Sequence, residues 1–482
     1  MKITIAMLDK KGCNAVPAVV AALKSLVPEN GGSFGLASPS TFTIEKNIDS
    51  LKSKSLDSSI VIGDACSITR QRVEPRFEKL ENATLAFEGR IYSPIQRESI
   101  VESISREWPQ IRQKAVEAVV RKAEGDYSLI IAEPNRIVAA RDPIGVQPLY
   151  YGENASCVAL ASNRKALWRL GIAEPLSFPP GQIGFASCDG FEFKPFKTLD
   201  YSKPRKTTLQ KAAVNLERLL ECSVRLRLRD VKEVAVAFSG GLDSSVIAFL
   251  AKKCGVDVHL THVSLRNHPE TAEAKKAAEE MKLPINVHLF GEEDVAQVVS
   301  KVVELIEEPD PVKAAIGIPF YWVAEKTAEA GFKVLLAGQG ADELFGGYQR
   351  YVSDYLQCGA EKARRTMFTD VKRLHESNIE RDEKICSYHD VELRLPFASY
   401  QIAEFATSLP IELKIERQEN SLRKLVLRKA AENMGLPESV TIKPKKAIQY
   451  ATGINDALKK TAKKHKTTIN AYINRLFIEQ RH

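Results

Sequence analysis

The stretch AVAFSGGLDSSVIAFLAKK, Ala235 to Lys253, decides the fold of the second half of this chain. Its apolar start reads as a buried strand ending at Phe238, and SSVIAFLAKKCG reads as a helix ended by Gly255. Between them lies the loop Ser239–Ser245. Gly240 and Gly241 let the backbone approach a ligand closely, and the N–H groups of a helix N-terminus then face that ligand with the helix dipole behind them. Such a loop suits an anion. Ser239, Ser244 and Ser245 add hydroxyl donors for phosphate oxygens. Asp243 is a carboxylate inside an anion loop, which is reasonable if a cation such as Mg²⁺ is shared with the phosphates. No Lys follows the glycines, so this is not a GxxxxGK[ST] loop. A serine-rich helix cap with ordinary glycines is the plainer alternative.

The strand–helix rhythm continues downstream. DVHLTHVSL, NVHLF and FKVLLAGQG read as further strands, with helical segments between them. This alternation predicts an α/β doubly wound parallel sheet across residues 207–482, with ligands at the carboxyl ends of its strands. A second decisive stretch, VLLAGQGADELFGGYQRY from Val334 to Tyr351, again ends a strand in glycines and acids. Asp342 and Glu343 there are placed to complete a cation site with Asp243. An acidic helix N-terminus is the bland reading.

Upstream the pattern differs. KITIAML, SIVIGDA, ATLAFEGRIY, YSLIIAE, RIVAARD and CVALAS are short apolar runs bounded by turn residues. Helical patterns cover Ala15–Leu26 and roughly Glu98–Ala123. Many strands with few helices predict an α+β layered domain over residues 1–200. The polar segment DYSKPRKTTLQ then links it to the second domain.

The whole chain has 482 residues, 44% hydrophobic and 27% charged, with a net charge of +8. That describes a globular protein of two ordinary domains. No apolar run is long enough for a membrane span, and no signal-peptide pattern opens the chain, so a cytoplasmic location is expected. Eight cysteines are scattered without CxxC or zinc-site spacing, which suits reduced structural thiols. The basic run LKKTAKKHKTTINAYINR lacks interleaved stacking aromatics, so a solvated helical tail is preferred to a nucleic-acid face.

These segments together resemble glutamine-dependent asparagine synthetases, with an Ntn-hydrolase-like glutaminase domain followed by an ATP-pyrophosphatase domain. AFEGRIYSP, RDPIGVQPLYYG, SGGLDSS, AGQGADELFGGY, VELRLPF and KLVLRKA…KPKKAIQYATG occur in the family's order. The resemblance implies ATP and Mg²⁺ as cofactors, with aspartate and ammonia as substrates. Ser239, Gly240, Gly241, Asp243, Ser244 and Ser245 would hold the phosphates, and Ala237, Val263 and Gly338 would flank adenine. Asp243 and Asp342 would carry Mg²⁺. Glu270 and Glu343 would contact substrate. Lys445 would approach the phosphates as pyrophosphate leaves, with Lys446 an adjacent competitor. Glu392 would organise the acceptor acid or the lysine, an ion pair with Arg394 or Lys445 being the alternative. Gln339 stands where part of the family has Glu, and an amide can orient a nucleophile without taking its proton.

The first domain departs from the family. Lys2 stands where the glutaminase cysteine belongs, Cys66 where an Arg grips glutamine, and Glu88 where an oxyanion-hole Asn sits. Cys13 is followed by Asn14 rather than Gly and reads as an ordinary residue near a turn. The expectation is a glutaminase-dead module, with nitrogen supplied as free ammonia or by a separate partner, and a homodimer left open. Two rivals remain at this point. One is adenylation of another carboxylate, as in β-lactam synthetases, which have Tyr at the position of Gln339. The other is tRNA modification by an ATP pyrophosphatase.

Overall fold

The computed structural model describes residues 2–27, 32–52, 56–67, 77–93, 100–111, 113–419, 422–443 and 453–481. Contacts divide the chain into two units, Met1–Thr198 and Leu199–His482.

The first unit contains thirteen strands among the described residues: β1 (Lys2–Asp9), β2 (Gly32–Ala37), β3 (Phe42–Glu45), β4 (Ile60–Ser67), β5 (Phe77–Leu80), β6 (Ala83–Ser93), β7 (Glu124–Glu133), β8 (Arg136–Arg141), β9 (Tyr150–Glu153), β10 (Cys157–Ala161), β11 (Leu176–Ser177), β12 (Gln182–Ser187) and β13 (Gly190–Pro195). They form a seven-stranded sheet, β11-β9-β10-β1-β4-β2-β3, and a six-stranded sheet, β13-β12-β8-β7-β6-β5. Period-two alternation divides each strand between two cores. Ala6 and Leu8 of β1 meet Ile130, Ala132 and Ile137 of the facing sheet. Ile3, Ile5 and Met7 face outward onto Val19, Val20 and Leu23 of the helix Val16–Leu26. On the far side, Leu129 and Ile131 pack with Ile104, Trp108, Val116 and Val120. The result is helix, sheet, sheet, helix.

The sequence pattern over Glu98–Ala123 becomes two helices, Ile100–Ile111 and Gln113–Lys122. The strand GSFGLA escapes sequence reading because glycine weakens its pattern. Its Gly35 is required by packing, since a Cβ there would lie 2.4 Å from the Phe77 ring. The persistent segment RDPIGVQPLYYG has a structural cause. Buried Asp142 accepts the N–H groups of Ile144, Gly145, Val146 and Gln147 at 2.7–3.0 Å. Buried Arg141 donates to the carbonyls of Gln147, Gly145 and Phe178. This pair replaces ladder bonds where the backbone turns.

The second unit is built on five parallel strands, β14 (Glu233–Ala237), β15 (Asp257–Leu265), β16 (Ile285–Phe290), β17 (Val334–Leu336) and β18 (Glu392–Arg394). Their order is β16-β15-β14-β17-β18. The chain runs outward from β14 to β16, then returns across β14 for β17 and β18. The strand order therefore reverses between β14 and β17, which is where doubly wound sheets open a crevice for ligands. Buried Val, Ile and Leu on both faces suit a sheet covered by helices. No helix among the described residues is long and apolar enough to cross a membrane.

Candidate active site

The loop Ser239–Gly241 leaves β14 beside this crevice and enters the helix Leu242–Lys253 with Gly241 as its N-cap. Gly240 has φ +66°, and a Cβ there would lie 2.7 Å from the Cα of Ala274. Glycine is needed for both reasons. The Ser239 and Ser244 hydroxyls lie 3.2 Å apart, and Gly241 N–H donates to Ser239 Oγ at 3.3 Å. Ser245 has no exposed surface, and its hydroxyl has no partner among the described residues. It lies beneath the loop rather than on it.

Ala237 ends β14 opposite Thr261, so Val263 lies two residues further along β15 at the same sheet edge. Leu336 pairs with Val236, which brings Gly338 to that edge as well. A Cβ on Gly338 would lie 3.0 Å from Asp243 Cβ, so this approach is a close one.

Asp243 and Asp342 converge on one point. That point is the ammonium of Lys424, 2.6 Å from each carboxylate oxygen of Asp243 and 2.7 Å from Asp342 Oδ1. Lys424 is buried and has φ +63° at the start of the helix Leu425–Met434. Gly347 makes room for the triad, because a Cβ would lie 2.6 Å from Lys424 Cε and closer still to Asp342. The Lys424 ammonium supplies the positive charge at that point. Two carboxylates sharing a position for a cation, next to N–H groups that favour an anion, are the residues that would hold a divalent metal, although among the described residues no group of three or more His, Cys, Asp or Glu is gathered for one.

Glu343 is engaged by other partners. It is buried and accepts from Tyr348 Oη at 2.6 Å and Asn378 Nδ2 at 2.7 Å. Burial, reinforced by neighbouring Asp342, pushes its carboxyl up to about 7. Asn378 belongs to one turn of π-helix, His375–Ile379. Such turns re-aim side chains at functional sites. Gln339 Nε2 donates to Asp382 Oδ2, and Asp382 is paired bidentately with Arg381 at 2.7 and 2.9 Å.

Glu270 is buried at the start of the helix Glu270–Glu280, 3.8 Å from Lys443 Nζ. Lys443 also reaches Glu273 at 2.8 Å and donates to the Gly240 carbonyl at 3.2 Å. Arg428 donates to the carbonyls of Thr441 and Lys443. These contacts anchor the chain at Lys443 to the Ser239–Ser245 loop. Lys445 itself, with Lys446, lies outside the described residues. Glu392 pairs with Val334 at the amino end of the sheet, and its carboxylate accepts from Arg394 Nε at 2.8 Å. The ion-pair alternative is the arrangement observed. Glu392 lies at the opposite end of the sheet from Gly338.

Sequence reasoning missed Lys424, Lys443, Asn378, Arg381 and Asp382. Lys424 and Arg428 lie in the quoted segment KLVLRKA, but no role is assigned to either from sequence. Partners 181 residues apart leave no local signal.

The first unit brings its three altered positions together. Lys2 pairs with Cys66 in the β1–β4 register, and Lys2 Nζ lies 2.7 Å from Glu88 Oε1. Thr4 Oγ1 donates to the other Glu88 oxygen at 3.2 Å. Cys13 is exposed and its N–H is bonded to Asp9 in a turn.

A family model described as asparagine synthase matches residues 215–359 and 355–480, and one described as a glutamine amidotransferase domain matches residues 71–169. A putative glutamine-hydrolysing asparagine synthetase of Methanocaldococcus jannaschii is 32% identical over 85% of this chain and 85% of its own length. Asparagine synthetase 1 of Saccharomyces cerevisiae is 28% identical over 70% of this chain and 66% of its own. Among solved structures, a glutamine phosphoribosylpyrophosphate amidotransferase of B. subtilis overlaps 59% of this chain and 65% of that one, at 17% identity and a TM-score of 0.34.

Proposed function

This chain belongs to the asparagine synthetase family, and we propose that it is an ATP-dependent ligase converting aspartate and ammonia to asparagine, AMP and pyrophosphate. The observation that carries the reading is the convergence of Asp243 and Asp342 on one cationic point beside the Ser239–Ser244 loop. That arrangement suits a metal-bound triphosphate at the crevice of a doubly wound sheet.

In this reading Ala237, Val263 and Gly338 flank the adenine. The loop N–H groups and the Ser239 and Ser244 hydroxyls bind phosphate oxygens, with Ser245 supporting the loop from within. With the Lys424 ammonium displaced from between them, Asp243 and Asp342 would hold Mg²⁺, which would supply charge neutralisation for the departing pyrophosphate. The side-chain oxygen of aspartate attacks the α-phosphorus and pyrophosphate leaves. Ammonia then attacks the acyl carbon of the aspartyl-adenylate, expelling AMP and losing a proton. Lys443 holds the loop, and Lys445, two residues on in sequence, is the lysine that the family resemblance assigns to the phosphates. Glu270 supports Lys443. Glu343, enclosed by Tyr348 and Asn378, shapes the acceptor side rather than binding metal. Glu392 acts through the Arg394 pair as a structural residue. The work is positioning and charge stabilisation, without a covalent enzyme intermediate.

The first unit does not hydrolyse glutamine in this reading. A buried ammonium neutralised by Glu88 is no nucleophile, and a carboxylate in place of an oxyanion donor repels the charge that would form. Nitrogen therefore enters as ammonia, free or from a partner. The test is release of AMP and pyrophosphate from MgATP and aspartate, with ammonium or glutamine as donor. Asparagine from ammonium alone is expected. Turnover with glutamine would overturn the account of Lys2 and Glu88. Pyrophosphate exchange with another acid but not aspartate would overturn the choice of substrate.

A further inference from the structure

Gln339 lies on the loop after β17, one residue beyond Gly338, and its side chain is partly exposed at the crevice. Behind it lies a buried network. Asp382 has no exposed surface and Arg381 is 2% exposed. Arg381 donates to both Asp382 oxygens and, at 3.3 Å, to Asn378 Oδ1. Asn378 in turn donates to Glu343. Burial pushes the Asp382 carboxyl up, while the Arg381 guanidinium and the Gln339 amide pull it down.

We propose that Asp382 is the positioning residue that turns the Gln339 amide so that its oxygen, not its nitrogen, faces the incoming ammonia. A carboxylate only accepts hydrogen bonds, so the amide edge against it must be the NH₂. Rotating the amide would set Oε1 against the Asp382 oxygens in a buried site, which costs far more than an ordinary lost bond. Oε1 is thereby left for a donor on the open side. Ammonia can donate one N–H to that oxygen while its lone pair points at the acyl carbon. A reversed amide would donate to the lone pair and block it. The proposal rests on the ligase reading above and adds the residue that orients its nucleophile.

The same geometry yields a coupling specific to this chain. Gln339→Glu, although part of the family has Glu there, sets two carboxylates face to face against Asp382. Asp382→Asn beside that Glu restores a donor–acceptor pair.

The experiment compares wild type, D382N, Q339E and Q339E/D382N. Aspartate-dependent ATP–pyrophosphate exchange reads adenylation, ammonium-dependent asparagine formation reads the second step, and thermal unfolding reads the contact. In D382N the asparagine can offer its own NH₂ to Gln339 Oε1 and reverse the amide. Exchange should stay within about 3-fold of wild type while asparagine formation falls about 10–100-fold, the range set by a misplaced reactant. Q339E should unfold at lower temperature, and the double variant should recover. Asparagine formation by D382N at the wild-type rate, or exchange and amide formation falling together, would overturn the proposal. Should D382N not fold, a double variant no more stable than Q339E overturns it. Absence of aspartate-dependent exchange in wild type would instead sink the ligase reading, and the thermal comparison would still judge the Gln339–Asp382 contact.

Discussion

Replacing Lys424 by methionine removes the ammonium that Asp243 and Asp342 share and keeps most of its apolar stem. In the wild type that ammonium lies within 2.7 Å of three carboxylate oxygens, and its side chain is 2% exposed. The two carboxylates retain 15% and 19% of their side-chain exposure, so water compensates for only part of the loss. Breaking a buried ion pair from one side costs about 3–5 kcal/mol, and this partial exposure favours the lower end. At roughly 2 °C per kcal/mol for a large unit, the melting temperature should fall by about 6 °C. The variant also leaves the cation position open. MgCl₂, compared with NaCl at matched ionic strength, should restore much of the loss in K424M and do little in wild type. Differential scanning calorimetry on both proteins reads this directly. A variant that melts with wild type in the absence of metal, or an equal Mg²⁺ effect on both, would refute the argument that Lys424 holds the metal position.

Gly240→Ala forces a side chain into a left-handed conformation and against Ala274 Cα at 2.7 Å. Strain of about 1–3 kcal/mol should shift the loop and weaken MgATP binding by at least about 10-fold, measured by calorimetric titration. Glu88→Gln removes the carboxylate 2.7 Å from the Lys2 ammonium, whose side chain is 9% exposed. Unfolding of the first unit should move to lower temperature, and a K2M/E88M double variant should regain the loss because an apolar pair needs no counter-charge. Lys414 is buried beside Met367 and Phe368, and burial, with Arg364 nearby, lowers its ammonium from 10.5 to about 7. Between about pH 7 and 10.5 the unfolded chain holds a proton there that the folded chain does not. Stability should therefore rise with pH across that window, by on the order of 1 kcal/mol per pH unit. Lys414→Met should abolish the rise, as read from melting temperature against pH.

Much of the fold was legible because it rests on local periodicity. The six runs read as strands in the first half are all strands of the two layered sheets, since an apolar run between turn residues has few other stable forms. Strands such as Gly32–Ala37 and Gln182–Ser187 were not legible. Their glycines are set by rings of other segments: Gly35 lies against Phe77, 42 residues on, which local pattern cannot report. In the second half the strand–loop–helix of SGGLDSS placed Ser239, Gly240 and Asp243, because an anion loop is assembled from consecutive residues.

Side-chain partners were decided elsewhere. Glu392 and Gln339 both follow from quoted segments, yet strand register puts Glu392 at the amino edge of the sheet beside Arg394 and leaves Gln339 at the carboxyl edge. The sequence by itself determined a layered domain followed by a doubly wound one, and a glycine- and serine-rich loop with acids nearby. Those features depend on spacing over a few residues. Only the tertiary structure decided that Lys424 occupies the point between Asp243 and Asp342, that Lys2 is neutralised by Glu88, and that Asp382 holds the Gln339 amide. Each of these joins charges from separate elements, and electrostatic energy depends on distance and burial in space rather than on separation along the chain.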